Sequence, residues 1–257
     1  MRISAFTPSV RLRPFVRSIS VMETDAVEES AVLPASGLML GFRYAGTATL
    51  FGPEGARRVA NAGLVGVRNT LRRMQTSAHG GIVVAAFTEL GAAQFFDQPL
   101  HEWFGGMIAL DDVCARVEFR EVEERLVDAR TNPARVALVD RFLCGRLRER
   151  EPDTTVAAAV QALRRAGGAL RIGVLAKELG ISQDPLEKRF RRAVGASPKQ
   201  LASILRFRRV VSGYAQGETL TVLAHDAGYC DQSHLVREFR AVTGEAPERF
   251  LKARTHC

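Results

Sequence analysis

The sequence predicts an α+β chain of two domains. A β-rich N-terminal domain with trailing helices precedes an all-α domain that carries two helix-turn-helix units joined by a long helix. Three observations predict it: short apolar stretches punctuated by turn residues up to about residue 90, amphipathic periodicity after it, and an internal repeat 48 residues apart in the last third.

The 257 residues suffice for two domains with their own cores. Hydrophobic residues make up 46% and charged residues 25%, a balance expected of a soluble globular protein. No apolar run approaches a membrane span, and MRISAFTPSVRLRPF lacks the apolar core of a secretory signal. Cys114, Cys144, Cys230 and Cys257 are far apart with no C-x-x-C, which argues against a zinc module or disulfide framework. A cytoplasmic location is expected.

Residues 1–90 show apolar stretches at Phe15–Met22, Ala31–Leu33, Leu38–Tyr44, Thr47–Phe51, Leu64–Val67 and Ile82–Phe87, separated by Gly, Pro and Asn. Regular short strands with frequent turns predict a small barrel or sandwich. A short helix is expected at Glu89–Phe96 and a longer one at Val113–Ala129, ended by Asn132-Pro133. Ala134–Arg148 follows as an amphipathic helix with Val136, Val139, Phe142, Leu143 and Leu147 on one stripe, either packed on its own domain or a dimer seam. The charged segment 149–155 marks the expected boundary between a sensory or dimerisation domain, 1–150, and a second domain, 151–257.

No Gly-rich phosphate loop and no G-x-S-x-G elbow occurs, so no enzymatic site is expected, an enzymatic N-terminal domain fused to the second domain being the alternative. His79, His101 and Glu102 lack metal-ligand spacing, and neither a metal nor a cofactor is implied. The pairs and triplets of acids at 111–112 and 121–124 read as solvated faces. Aromatic residues, Phe42, Tyr44 and Trp103 among them, either line an apolar ligand pocket or fill ordinary core.

Charge is unevenly spread. Residues 1–150 hold 19 basic and 17 acidic side chains, whereas residues 151–257 hold 17 and 11. The cationic surplus therefore lies in the shorter second part, as a DNA-binding module requires.

That part opens with an Ala-rich helix, Thr154–Ala166, ended by Gly167-Gly168. LAKELGISQDPLEKRFRRAVGASP then reappears as LAHDAGYCDQSHLVREFRAVTGEAP. Ala176 matches Ala224, Gly180 matches Gly228, and Leu186 and Phe190 match Leu235 and Phe239. Gly195 and Pro198 match Gly244 and Pro247. Each pair has a physical reason: a small residue lets two helices cross closely, a glycine makes the turn, and an i, i+4 apolar pair anchors the second helix. Ser182 is the expected N-cap of the first recognition helix, and Thr221 that of the helix opening the second unit. Pro198–Gln216 reads as one helix holding the units at a fixed separation.

The pattern Ala224-x3-Gly228-Tyr229-x-Asp231-Gln232-Ser233-x-Leu235-x-Arg237-x-Phe239-Arg240-x3-Gly244-x2-Pro247-x2-Phe250 resembles the AraC/XylS family of bacterial transcription regulators, as do Leu175-Ala176, Ser182, Leu186, Phe190, Gly195, Ser197-Pro198 and Arg206. The resemblance covers about residues 154–252. It implies seven helices, sequence-specific binding to double-stranded promoter DNA, and activation or repression through RNA polymerase. It also implies a small-molecule effector or a homodimer acting through the N-terminal domain.

Carried over by position, the base-reading candidates are Gln183, Asp184, Glu187 and Lys188 in the first unit, and Gln232, Ser233, His234, Val236 and Arg237 in the second. Phosphate candidates are Arg191, Arg192, Lys199, Arg206 and Arg240. The family has Arg where this chain has Lys188, and a bulky apolar residue where it has Gly213. Gln232 and Arg237, against Asp184 and Glu187, make the second unit the expected stronger reader.

Overall fold

A computed structural model describes residues 1–52, 55–215 and 217–255. Ten strands come first: β1 (Arg2–Phe6), β2 (Val16–Thr24), β3 (Glu28–Val32), β4 (Met39–Ala45), β5 (Ala48–Gly52), β6 (Gly55–Arg58), β7 (Ala62–Val65), β8 (Arg72–Thr76), β9 (Gly80–Phe87) and β10 (Met107–Ala109). They form two sheets, in the orders β1-β2-β9-β4-β7-β10 and β3-β8-β5-β6, with every pairing antiparallel.

Parity decides what each face does. On β4, Leu40 and Phe42 point into a core shared with Val83, Ala85 and Phe87 of β9. Two helices cover that face: α1 (Val117–Asp128) through Phe119 and Leu126, and α2 (Asn132–Arg146) through Val139 and Leu143. The apolar stripe of α2 thus packs on its own sheet, with Phe142 edge-on to Phe42 at 5.4 Å. The opposite face of the six-stranded sheet looks toward the four-stranded one.

Three sequence expectations shift. The helix expected at Glu89–Phe96 forms only as a 3-10 turn, Ala92–Gln94. Glu89 is buried and accepts from Ser36 Oγ at 2.8 Å and from Arg17 and Arg164, so it serves a tertiary contact rather than a helix start. Asn132 and Pro133 separate two helices as expected, but they are the first residues of α2, capped by Thr131. The strands β1, β6 and β8 (RISAF, GARR, RRMQT) lie outside the apolar stretches read from the sequence.

Among the described residues seven helices follow: α3 (Thr154–Arg165), α4 (Ile172–Glu178), α5 (Gln183–Val194), α6 (Pro198–Ala215), α7 (Leu220–Asp226), α8 (Gln232–Thr243) and α9 (Pro247–Thr255). Asp153 caps α3 by accepting from Val156 N at 3.0 Å. The same carboxylate holds Arg189 of α5 at 2.6 and 2.7 Å. Burial pushes this carboxyl up, but hydrogen bonds from Arg189 and the helix amides outweigh that and leave it below the ordinary aspartate value. Among the described residues, no helix is long and apolar enough to cross a membrane.

Candidate nucleic-acid interface

The two repeats fold to the same local design. In α4–α5, Gly180 takes φ +65° and Ile181 N donates to Ala176 O at 3.1 Å. In α7–α8, Gly228 takes φ +75° and Tyr229 N donates to Ala224 O at 2.9 Å. Both turns thus close the same loop onto the same buried alanine. Each recognition helix also ends alike: Gly195 and Gly244 are left-handed and donate to the carbonyls of Arg191 and Arg240.

The N-termini differ. Asp231 caps α8, its carboxylate accepting from His234 N at 2.7 Å. Ser182 sits at the N-cap of α5 in an extended conformation, but its side chain makes no capping bond. The cap of α7 is Thr219, accepting from Val222 N, rather than the expected Thr221, because Leu220 already belongs to the helix and is buried.

Each unit has its own core, and α6 serves both. Leu186 and Phe190 bury against Leu175, Leu163 of α3 and Leu201 of α6. Leu235 and Phe239 bury against Leu223, Phe250 of α9 and Phe207 and Val210 of α6. Gly213 of α6 is buried beside Leu223, whose Cδ2 lies 2.3 Å from where a Cβ would stand. Leu223 fills the space that a bulky residue at 213 would take.

The first turns of both recognition helices face outward. Gln183, Asp184, Glu187 and Lys188 are exposed, as are Gln232, Ser233 and Arg237. His234 is half-buried, edge-on to Tyr229 and 3.5 Å from Glu238. Val236 is half-buried against the core of its unit. Glu187 pairs with Arg191 at 2.8 Å, so a base candidate and a phosphate candidate engage each other.

Arg192, Lys199 and Arg240 are exposed, and among the described residues none of them forms an ion pair. Arg206 differs. Its guanidinium is largely inside, donating to both carboxylate oxygens of Glu238 at 2.9 and 3.0 Å and to Gly168 O at 2.9 Å. It also lies 5.4 Å from the Tyr229 ring. Its donors tie α6 to α8 and to the end of α3. Burial, with Glu238 nearby, pushes the Tyr229 hydroxyl up to about 12.

The β-rich N-terminal region touches both units away from these faces. The C-terminal end of α5 packs on the 3-10 turn Leu100–Trp103, where a Cβ at Gly195 would lie 3.1 Å from Leu100 O. Leu33 and Leu71 pack on the core of the second unit, and Arg73 bonds to Glu245 at 3.0 Å. Arg208 reaches Pro34 O.

Between the two sheets lies a cavity of about 440 Å3. Phe42, Tyr44 and Trp103 do not line it. Phe42 and Tyr44 occupy the other face of β4, with Arg135 of α2 4.0 Å above the Tyr44 ring, and Trp103 stacks edge-on to Phe96 at 5.5 Å. The lining strand positions, such as Met39, Gly41 and Arg43, carry no aromatic signal that would mark a pocket in the sequence.

Residues 175–253 match the family described as "Helix-turn-helix domain" (HTH_18). No curated protein sequence matches the chain. Among solved structures, unsaturated fatty acid bound wild-type ToxT from Vibrio cholerae is similar over 98% of this chain and 97% of its own, with a TM-score of 0.50 at 14% identity. A DNA-binding transcriptional dual regulator from Escherichia coli K-12 matches over 42% of this chain and 96% of its own, at 20% identity and a TM-score of 0.36. The AraC-like transcriptional activator CuxR matches over 88% and 91%, at 14% identity and a TM-score of 0.31. At these identities the likeness to ToxT is one of fold.

Proposed function

We propose, from the match of residues 175–253 to a helix-turn-helix domain, that the chain is a sequence-specific transcription regulator of the AraC type whose two recognition helices read successive major grooves of promoter DNA. Residues 151–257 form the DNA reader in this reading, and residues 1–150 the regulatory domain. One observation carries it: two units of the same design, joined by one helix, keep the first turns of both recognition helices exposed.

Base contacts come from Gln183 and Lys188 in the first unit and from Gln232, Ser233 and Arg237 in the second. Arg192, Lys199, Arg240 and the helix N-termini hold phosphates. Glu187 and Arg191 neutralise each other in the free protein, so the first unit has less charge to offer DNA than its sequence suggests. The regulatory domain responds to a small ligand in the cavity between its sheets. The fatty acid bound to ToxT supports a ligand-binding role for a fold of this kind. Activation or repression proceeds through contact with RNA polymerase.

Footprinting of the upstream intergenic region tests this reading. Two protected patches one helical turn, roughly 34 Å, apart on one face of the duplex are expected. Equal binding to promoter and random DNA across a salt series would instead leave a protein-interaction adaptor.

A further inference from the structure

We propose that Gly168 and Ala169, in the loop after α3, are positioning residues for DNA reading. They brace the second unit against the first and fix its rotation about α6, and with it the helical phase at which two boxes on DNA must be presented. The brace stands on the contacts below; its consequence for DNA rests on the regulator reading above.

The loop belongs to the first unit. Leu163 of α3 lies in that unit's core, and Gly168 N donates back to Leu163 O at 2.9 Å. Gly168 is buried at φ +83°, where a Cβ would stand 2.2 Å from Ala202 O of α6. A glycine is what lets the loop lie this close to the helix. From there the loop reaches the second unit twice. Gly168 O accepts from one terminal nitrogen of Arg206, and the other holds both carboxylate oxygens of Glu238 on α8. Ser203 of α6 donates to the same carboxylate at 3.4 Å. One residue on, Ala169 lies against the α7–α8 turn. A Cβ on Gly228 would stand 2.4 Å from the Ala169 methyl and 3.1 Å from its Cα.

The repeat isolates this contact. Gly180 and Gly228 make the same turn, at φ +65° and +75°. A Cβ on Gly180 would meet nothing within 4 Å. Glycine at 228 thus answers two demands, the backbone angle and the close neighbour, and the second has no counterpart at 180.

One helix between two bodies sets their separation but leaves rotation about its axis to the packing at each end. A contact off that axis removes the rotation, and the loop supplies one. Duplex DNA turns by roughly 35° per base pair, at about 10–10.5 base pairs per turn. A rotation of the second unit by that much would therefore move its preferred box by one base pair.

Gly228→Ala and Gly180→Ala carry similar backbone strain, and only the first meets Ala169. Spin labels on Lys177→Cys of α4 and Ala241→Cys of α8, both exposed, report the distance between the units in the full chain with its four native cysteines replaced by serine. Gly228→Ala should move or broaden that distance, and Gly180→Ala should leave it alone. Adding Ala169→Gly to Gly228→Ala removes the methyl and should recover much of the parent distance. Ala169→Ile leaves both turns intact, enlarges the brace from the loop side, and should also shift the distance. On DNA, Gly228→Ala should lose about tenfold or more at the wild-type spacing of the boxes and gain relative preference for boxes one base pair closer or farther. Gly180→Ala should keep the wild-type preference. An unchanged distance in both Gly228→Ala and Ala169→Ile, an equal shift in Gly180→Ala, or no recovery with Ala169→Gly would each overturn the proposal. Selective DNA binding with unmoved distances removes the brace and keeps the regulator. Moved distances in a chain without selective DNA binding keep the brace and remove the regulator.

Discussion

The amide of Leu71 donates to the carbonyl of Val242 at 2.8 Å, joining the β-rich N-terminal region to the last turn of α8. The next two residues extend the link: Arg72 lines the cavity, and Arg73 bonds to Glu245. Three consecutive residues thus touch both the cavity wall and the reader. Leu71→Pro deletes the donor. Hydrogen exchange in the last turn of α8 is expected to quicken by about tenfold or more, while the first unit, α4–α5, stays unchanged. Equal protection in the variant would show that the contact holds nothing in place.

Arg206 and Glu238 set a second expectation. Removing Glu238 leaves a largely buried guanidinium short of its acceptor, a loss of about 1.5–3 kcal/mol for hydrogen bonds to a charged group. Urea denaturation of Glu238→Ala measures it. Arg206→Ala should likewise lower the denaturation midpoint and leave the salt dependence of DNA binding intact. Arg240→Ala should do the reverse, reducing the slope of log K against log salt by about one with the midpoint unchanged. A reduced slope in Arg206→Ala would return that residue to the phosphate contacts.

The two units are expected to contribute unequally to base selection. Arg237→Ala should cost about 1–3 kcal/mol at one base pair. Lys188→Ala should cost less, since an ammonium on a flexible stem lacks the planar fork that grips guanine. Competition binding with single-base variants of the footprinted site compares them, and a larger loss for Lys188→Ala reverses the order.

The repeat was legible because its demands are local. A buried small residue, a left-handed glycine and an i, i+4 apolar pair recur in both copies, and each does in the fold what its chemistry requires. The N-terminal domain was legible only as β-rich. Strands such as GARR and RRMQT carry almost no apolar signal, because the sheet they belong to is small and largely solvated on its outer side. The aromatic residues of β4, Phe42 and Tyr44, lie on the face away from the cavity between the sheets. A shift of one position separates Phe42, in the helix-covered core, from Arg43, on the cavity. The inward role of Arg206 was equally hidden, since its partner Glu238 lies 32 residues away on another helix.

Acid should weaken the junction of α3 with α5. The Asp153 carboxyl lies below its ordinary value when folded, so its contribution is whole above about pH 4 and fades as pH falls through the lower folded value. Asn caps a helix as well as Asp does, so Asp153→Asn isolates the charge. The stability gap between wild type and Asp153→Asn should shrink between about pH 5 and pH 2. A gap that stays constant over that range would mean that Arg189 gains nothing from the ionised form.

The helix α6 gives one wall to each reading unit, Leu201 to the first core and Phe207 with Val210 to the second. The distance between the exposed first turns of α5 and α8 is therefore a length built into the polypeptide, and under the proposed reading the promoter has to match it. Five base pairs inserted between the two half-sites turn the second by about half a helical turn, onto the far side of the duplex, and should abolish tight binding. Ten restore the face but not the reach. Operators for this protein should vary in sequence at the two boxes long before they vary in spacing.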